Sequence, residues 1–198
     1  MITVSANKRM PILMLLLVIS IAANGYLLFD KQFNKRQIQE QNRTQLWSIA
    51  VSGDNIANHA ETFLLHAGRE RDAAAQEQLK ESWRIMTGEL SSIQFHLGTW
   101  RVHDMEEHSR QWSLLQVSLL RVGNALNGMT TKFLEQGYIS LNDKEADQIQ
   151  AAAEIYRRMA QEVQSEAAHP ELVIEELTEP MLLLDPSYSY ILDRYRKK

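Results

Sequence analysis

The chain has 198 residues, 21 Lys and Arg against 25 Asp and Glu, a formal net charge of −4 and no cysteine. Acid and base are interspersed, which excludes the basic footprint of a nucleic-acid binder, and the absence of thiols excludes disulfides, thiolate metal sites and cysteine catalysis. Its eight glycines and four prolines punctuate an alanine- and leucine-rich, charged chain so sparsely that it reads as all-α.

Residues 1–9 are a short basic tail containing Lys8 and Arg9. Residues 10–29, MPILMLLLVISIAANGYLLF, follow without a single charge, with Ser20 and Asn24 as polar interruptions. At about 1.5 Å per residue, roughly nineteen helical residues span about 28 Å, close to the hydrocarbon thickness of a bilayer. A helix satisfies its own backbone hydrogen bonds, so this segment can cross lipid alone. A cleaved signal peptide is the competing reading, with Ser20, Ile21 and Ala22 as its cleavage site. The apolar stretch continues past that point through Tyr26, Leu27, Leu28 and Phe29 to Asp30 and Lys31, which favours an uncleaved, single-pass anchor. Two cues to sidedness disagree. Lys31, Lys35, Arg36 and Arg43 behind the run favour a cytoplasmic body, whereas a short basic tail ahead of a first apolar segment favours a body outside the cytoplasm, the orientation adopted here.

Beyond residue 43, apolar and small residues recur three and four apart. The first segment carries Leu46, Ile49, Gly53, Ile56, Ala60, Phe63 and Ala67, and the second Leu79, Trp83, Met86, Leu90, Ile93, Leu97 and Trp100. The third has Trp112, Leu115, Leu119, Val122, Leu126, Met129 and Phe133; the fourth has Ala146, Ile149, Ala153, Tyr156, Ala160, Val163 and Ala167. Each is one seam at period 3.5, the pattern of helices packed lengthwise. Gly68, Gly98 and Gly137 supply stops, Asp72 a cap, and the pairs Asp104/Glu107 and Asn142/Glu145 resemble capping boxes. The expected helices cover 31–68, 73–98, 105–137 and 143–168. Connections this short make neighbours antiparallel, so residues 30–168 are expected to form an up-down-up-down four-helix bundle that continues directly from the anchor. Alanine and glycine on the first and fourth seams, against tryptophan on the middle two, predict close backbone approach in a filled core.

Residues 169–198 read as a tail: a short helix over 171–179, interruptions at Pro180 and Pro186, then a basic-aromatic end. Tyr188, Tyr190, Arg194, Tyr195, Arg196, Lys197 and Lys198 are the candidate contacts with an anionic membrane surface; the alternative is a tail packed over the open end of the bundle. On the first helix, Trp47 with Ser52, Asp54, Asn55 and Asn58 forms a candidate partner surface of aromatic and amide groups. Asn42, Arg43 and Thr44 match a glycosylation sequon. His103/Glu107 and Glu166/His169 have helical metal-ligand spacing, but the second copy that a carboxylate-bridged bundle site needs is missing. No nucleophile elbow, phosphate loop or HExxH is present. The expectation is a non-enzyme without metal or cofactor.

An anchor leading without a break into heptad-patterned helices, residues 10–168, resembles the extracytoplasmic four-helix sensor domains of bacterial chemoreceptors and histidine kinases. In that family a second spanning helix and a cytoplasmic signalling module follow the bundle, and this sequence shows neither. The resemblance implies an accessory sensor or interaction domain at the cell envelope whose partners are the membrane, through residues 10–29, and another protein or a second copy of the chain. The alternative is a scaffold on the cytoplasmic face that oligomerises through its helices.

Overall fold

The computed structural model describes residues 6–67, 73–102, 109–135, 138–164 and 170–196, and within them the chain is all-helical, with six helices and no strand. Helix α1 spans Ala6–Ala67, α2 Ala73–Thr99, α3 Ser109–Glu135, α4 Asp143–Gln164, α5 Pro170–Leu184 and α6 Tyr188–Arg196. Two compact units divide the chain, residues 1–40 and 41–198.

The first unit is helical throughout its described residues. Its large apolar side chains between positions 13 and 33 are 55–70% exposed. Near the end of the apolar run Phe29 stacks on Phe33 with ring centroids 6.4 Å apart, and Asn34 Nδ2 donates to Asp30 Oδ2 at 3.2 Å. α1 is the one helix among the described residues that is long and apolar enough to cross a bilayer, and none of its apolar window is buried by protein.

The second unit is built on the four seams. Every residue read onto the α2 and α3 seams is buried, as are those of α1 from Leu46 to Phe63. On α4, Ile149, Ala153, Tyr156 and Ala160 are buried, while Ala146 and Val163 are half-buried. Cross-helix bonds give the directions. Gln45 meets His96, Ser52 meets Ser92 at 3.3 Å and Asn55 meets Glu89 at 3.0 Å, so α1 and α2 run oppositely. Trp83 Nε1 donates to Thr130 and Gln116 Nε2 to the Leu97 carbonyl, which opposes α2 and α3. Phe63, Trp83 and Phe133 from α1, α2 and α3 pack with centroids 4.6–5.3 Å apart. Gly53 brings α1 against α4, since a Cβ there would lie 2.9 Å from Tyr156 Cδ1.

Helix starts and connections are held by named groups. Asn142 Oδ1 accepts from Glu145 N at 2.9 Å while Glu145 Oε2 accepts from Asn142 N at 3.1 Å, the reciprocal capping box expected for α4. Two buried amides clasp connections from opposite sides of the sequence. Asn42 bonds both the N–H and the carbonyl of Arg101, at 3.0 and 3.1 Å, and Gln76 does the same to Ile139, at 2.8 and 3.2 Å. Asn42 is only 2% exposed, so the folded chain leaves no room for a glycan at that sequon. The expected boundary features at Gly68, Asp72, Asp104, Glu107, Gly137 and residues 165–169 lie outside the described residues.

The tail reading is corrected. Residues 170–184 form a continuous helix through Pro180, and α6 follows after a turn. A proline inside a helix removes the N–H that would bond the carbonyl four residues back, here that of Glu176. Arg158 Nη1 of α4 donates to the Glu176 carbonyl at 3.0 Å and replaces the missing donor. Val173, Leu177, Met181 and Leu184 of α5 are buried, and so are Ala151, Ala152, Ile155 and Met159 of α4. Helix α4 therefore carries two buried stripes where one was expected, because α5 packs on it and on α3.

One core group is left unsatisfied. Tyr156 is fully buried, and its hydroxyl has no partner among the described residues; burial pushes the phenol well above its usual range. An unbonded buried hydroxyl costs about 1–3 kcal/mol. Tyr156→Phe keeps the ring against Gly53 and is expected to stabilise the protein by about 1 kcal/mol, read as a rise in melting temperature. A fall would show that the hydroxyl is bonded.

Candidate functional site

The α1 surface is smaller than its sequence suggests. Trp47 is 58% exposed and Val51, one turn on, is 40% exposed. Asn55 and Asn58 are exposed and Asp54 is half-buried, but each is engaged: Asn55 with Glu89, Asn58 with Arg157 at 3.0 Å and with Asp54 at 3.5 Å. Ser52 is internal, 7% exposed, and bonds Ser92 across the α1–α2 contact. What α1 offers a partner is the Trp47–Val51 step with an amide margin. Beside that margin a groove of about 500 Å³ runs between α1 and α4 over Ala153, bordered by the Arg157–Glu61 ion pair at 2.8 Å.

The basic-aromatic end is split by α6. Tyr190 is 71% exposed and Arg194 is exposed. Tyr195 is half-buried, with the Arg110 guanidinium over its ring at 5.8 Å. Tyr188, read as a surface contact, is fully buried. Ser118 spends its own proton on the Leu114 carbonyl at 2.8 Å, so the Tyr188 hydroxyl donates to Ser118 at 2.7 Å. Arg196 closes α6, and Lys197 and Lys198 lie outside the described residues.

The turn into α6 is an electrostatic latch. Pro186 occupies the second position of a turn closed by Tyr188 N to the Asp185 carbonyl at 2.9 Å. Asp185 Oδ1 accepts from Ser187 N at 2.9 Å, and its other oxygen bonds Arg121 of α3. Burial alone would raise the Asp185 pKa, but the bonds from Ser187 and Arg121, with the charge of Arg121, outweigh it and hold the carboxyl below its usual range. Glu145 behaves alike: desolvation raises it, while Lys132, at 2.6 Å, and the Asn142 N–H bring it below normal. Carboxyls held lower in the folded than in the unfolded chain contribute stability that is complete above about pH 4 and is lost as pH falls through the folded value. Melting temperature is therefore expected to fall as the pH drops below about 4, with a shallower drop in Asp185→Asn. Equal slopes in the two proteins would contradict the latch.

Helices α3, α5 and α6 together enclose a cleft of about 300 Å³ whose lining includes Arg110, Leu114, Ile174, Glu175, Leu192 and Tyr195. Sequence reasoning missed it because the cleft exists only once α5 and α6 dock. The signal was present in Val173, Leu177, Met181 and Leu184, which keep helical spacing across Pro180. Among the described residues no group of three or more His, Asp or Glu is placed to hold a metal ion; the pairs His103/Glu107 and Glu166/His169 fall outside them.

No protein-family model matches the chain, and no curated protein or solved structure matches it.

Proposed function

We propose that the protein is a single-pass, membrane-anchored helical domain that works by binding another macromolecule at the cell envelope. In this reading residues 10–29 are the anchor and α1–α4 form an antiparallel up-down-up-down four-helix bundle, with α5 and α6 as an added clasp. The observation that carries the proposal is the apolar segment itself: its large side chains are 55–70% exposed, a surface that water disfavours and hydrocarbon does not. The resemblance to extracytoplasmic sensor domains supports an accessory sensing or interaction role. The exposed Trp47–Val51 step is the partner surface, tryptophan being the residue type most enriched where binding energy concentrates. Tyr190 and Arg194, with Arg196, Lys197 and Lys198, are proposed to meet the lipid surface.

A photo-crosslinking residue at position 47 of the full chain in native membranes tests the binding role. One discrete adduct at position 47, absent when the probe sits at the exposed Asn127, is expected. Identical patterns at both positions would contradict a partner surface on α1. An adduct of twice the chain mass would identify a second copy as the partner. The basic residues Lys31, Lys35, Arg36 and Arg43 behind the apolar run favour the second reading, a scaffold on the cytoplasmic face.

A further inference from the structure

We propose that the cleft between α3, α5 and α6 binds a single-chain zwitterionic amphiphile, its anionic group on Arg110, its ammonium group on Glu175 and its chain along Leu114, Ile174 and Leu192. A volume of about 300 Å³ is at the small end of ligand sites and suits one short chain. Leu114 and Leu192 are 5% and 6% exposed, so the apolar wall is held by the core beneath it, and it is already in place before a ligand arrives. Charge complementarity selects the head group. Arg110 and Glu175 line the same cleft from α3 and α5. A purely anionic ligand would face Glu175 and a purely cationic one Arg110, whereas a ligand carrying both charges is matched at each end. The Arg110 guanidinium lies over the Tyr195 ring, 5.8 Å from its centroid, a cation–π distance that helps hold beside the cleft a planar group suited to bidentate bonding of a phosphate or carboxylate.

The inference is independent of the anchor, because every residue it uses lies in the second unit. The test uses the full chain in phosphatidylglycerol nanodiscs with methyl-labelled isoleucine, the Ile174 resonance being assigned through Ile174→Val. Titration with hexylphosphocholine is expected to shift that resonance saturably. Arg110→Glu should weaken the binding by about tenfold or more. Glu175→Lys should weaken hexylphosphocholine and strengthen hexyl sulfate, a reversal that general loosening of the fold would not produce. No saturable shift, an unchanged affinity in Arg110→Glu, or equal binding of the uncharged hexyl glucoside would overturn the proposal. Repeating the titration in phosphatidylglycerol discs doped with lysophosphatidylcholine separates the sources of ligand. A resonance already shifted before titration identifies a bilayer lipid as the occupant, and an unshifted one identifies a soluble amphiphile.

Discussion

Replacing Val18 and Ile21 together with arginine is expected to release the protein from membranes washed in alkaline carbonate, whereas the unaltered chain stays in the pellet. Both residues lie near the centre of the apolar run, 62% and 63% exposed. Each arginine at the centre of a spanning helix costs about 2.5–3.5 kcal/mol on insertion scales. Two on one helix therefore cost about 5–7 kcal/mol, enough to offset the apolar contribution of several leucines. The apolar run is the longest exposed apolar stretch among the described residues, whereas the second unit exposes large apolar side chains only at scattered positions such as Trp47, Leu65, Phe95 and Leu183. A double variant that remained in the pellet would show that membrane association comes from elsewhere in the chain.

The second large effect is expected at Gln76. Its side-chain amide completes both backbone bonds of Ile139, a residue 1% exposed and therefore without water to replace them. Gln76→Ala leaves one buried N–H and one buried carbonyl unpaired at about 1–3 kcal/mol each, so a loss of about 2–4 kcal/mol is expected after partial relaxation. For a chain of this size that lowers the melting temperature by roughly 4–16 °C. Gln76→Glu separates bonding from packing. The carboxylate can still accept from the Ile139 N–H but repels the carbonyl, so the loss should persist at neutral pH and shrink in acid. An unchanged melting temperature in both variants would mean that the connection between α3 and α4 is held by other contacts.

The heptad seams were legible because they are local. Three- and four-residue spacing decides which face of a helix is apolar before any partner is known, and Leu79 through Leu97 on α2 are buried as that spacing requires. The capping box at Asn142 and Glu145 was readable for the same reason. What sequence could not show depends on groups distant in the chain. Pro180 reads as a helix stop by its own chemistry; only the placement of Arg158 against the Glu176 carbonyl lets α5 continue. Ser52 and Tyr188 carry hydroxyls and read as surface, yet their partners, Ser92 and Ser118, come from other helices. The second stripe on α4, at Ala151, Ala152, Ile155 and Met159, was present but had no partner in a four-helix reading. With α5 in place it has one, and the cleft beside Arg110 follows from the same docking.

Sidedness is the property on which the proposed role turns, and the absence of native cysteine makes it directly measurable. Ser91 on α2 is exposed, and among the described residues its hydroxyl bonds only back to the Thr87 carbonyl of its own helix, so Ser91→Cys should leave the fold intact. Cells producing this variant are treated with a membrane-impermeant maleimide before and after lysis. Labelling of intact cells is the result predicted for an envelope-facing binding domain held by residues 10–29. Labelling only after lysis would contradict it and assign the body to the cytoplasmic face, as a scaffold.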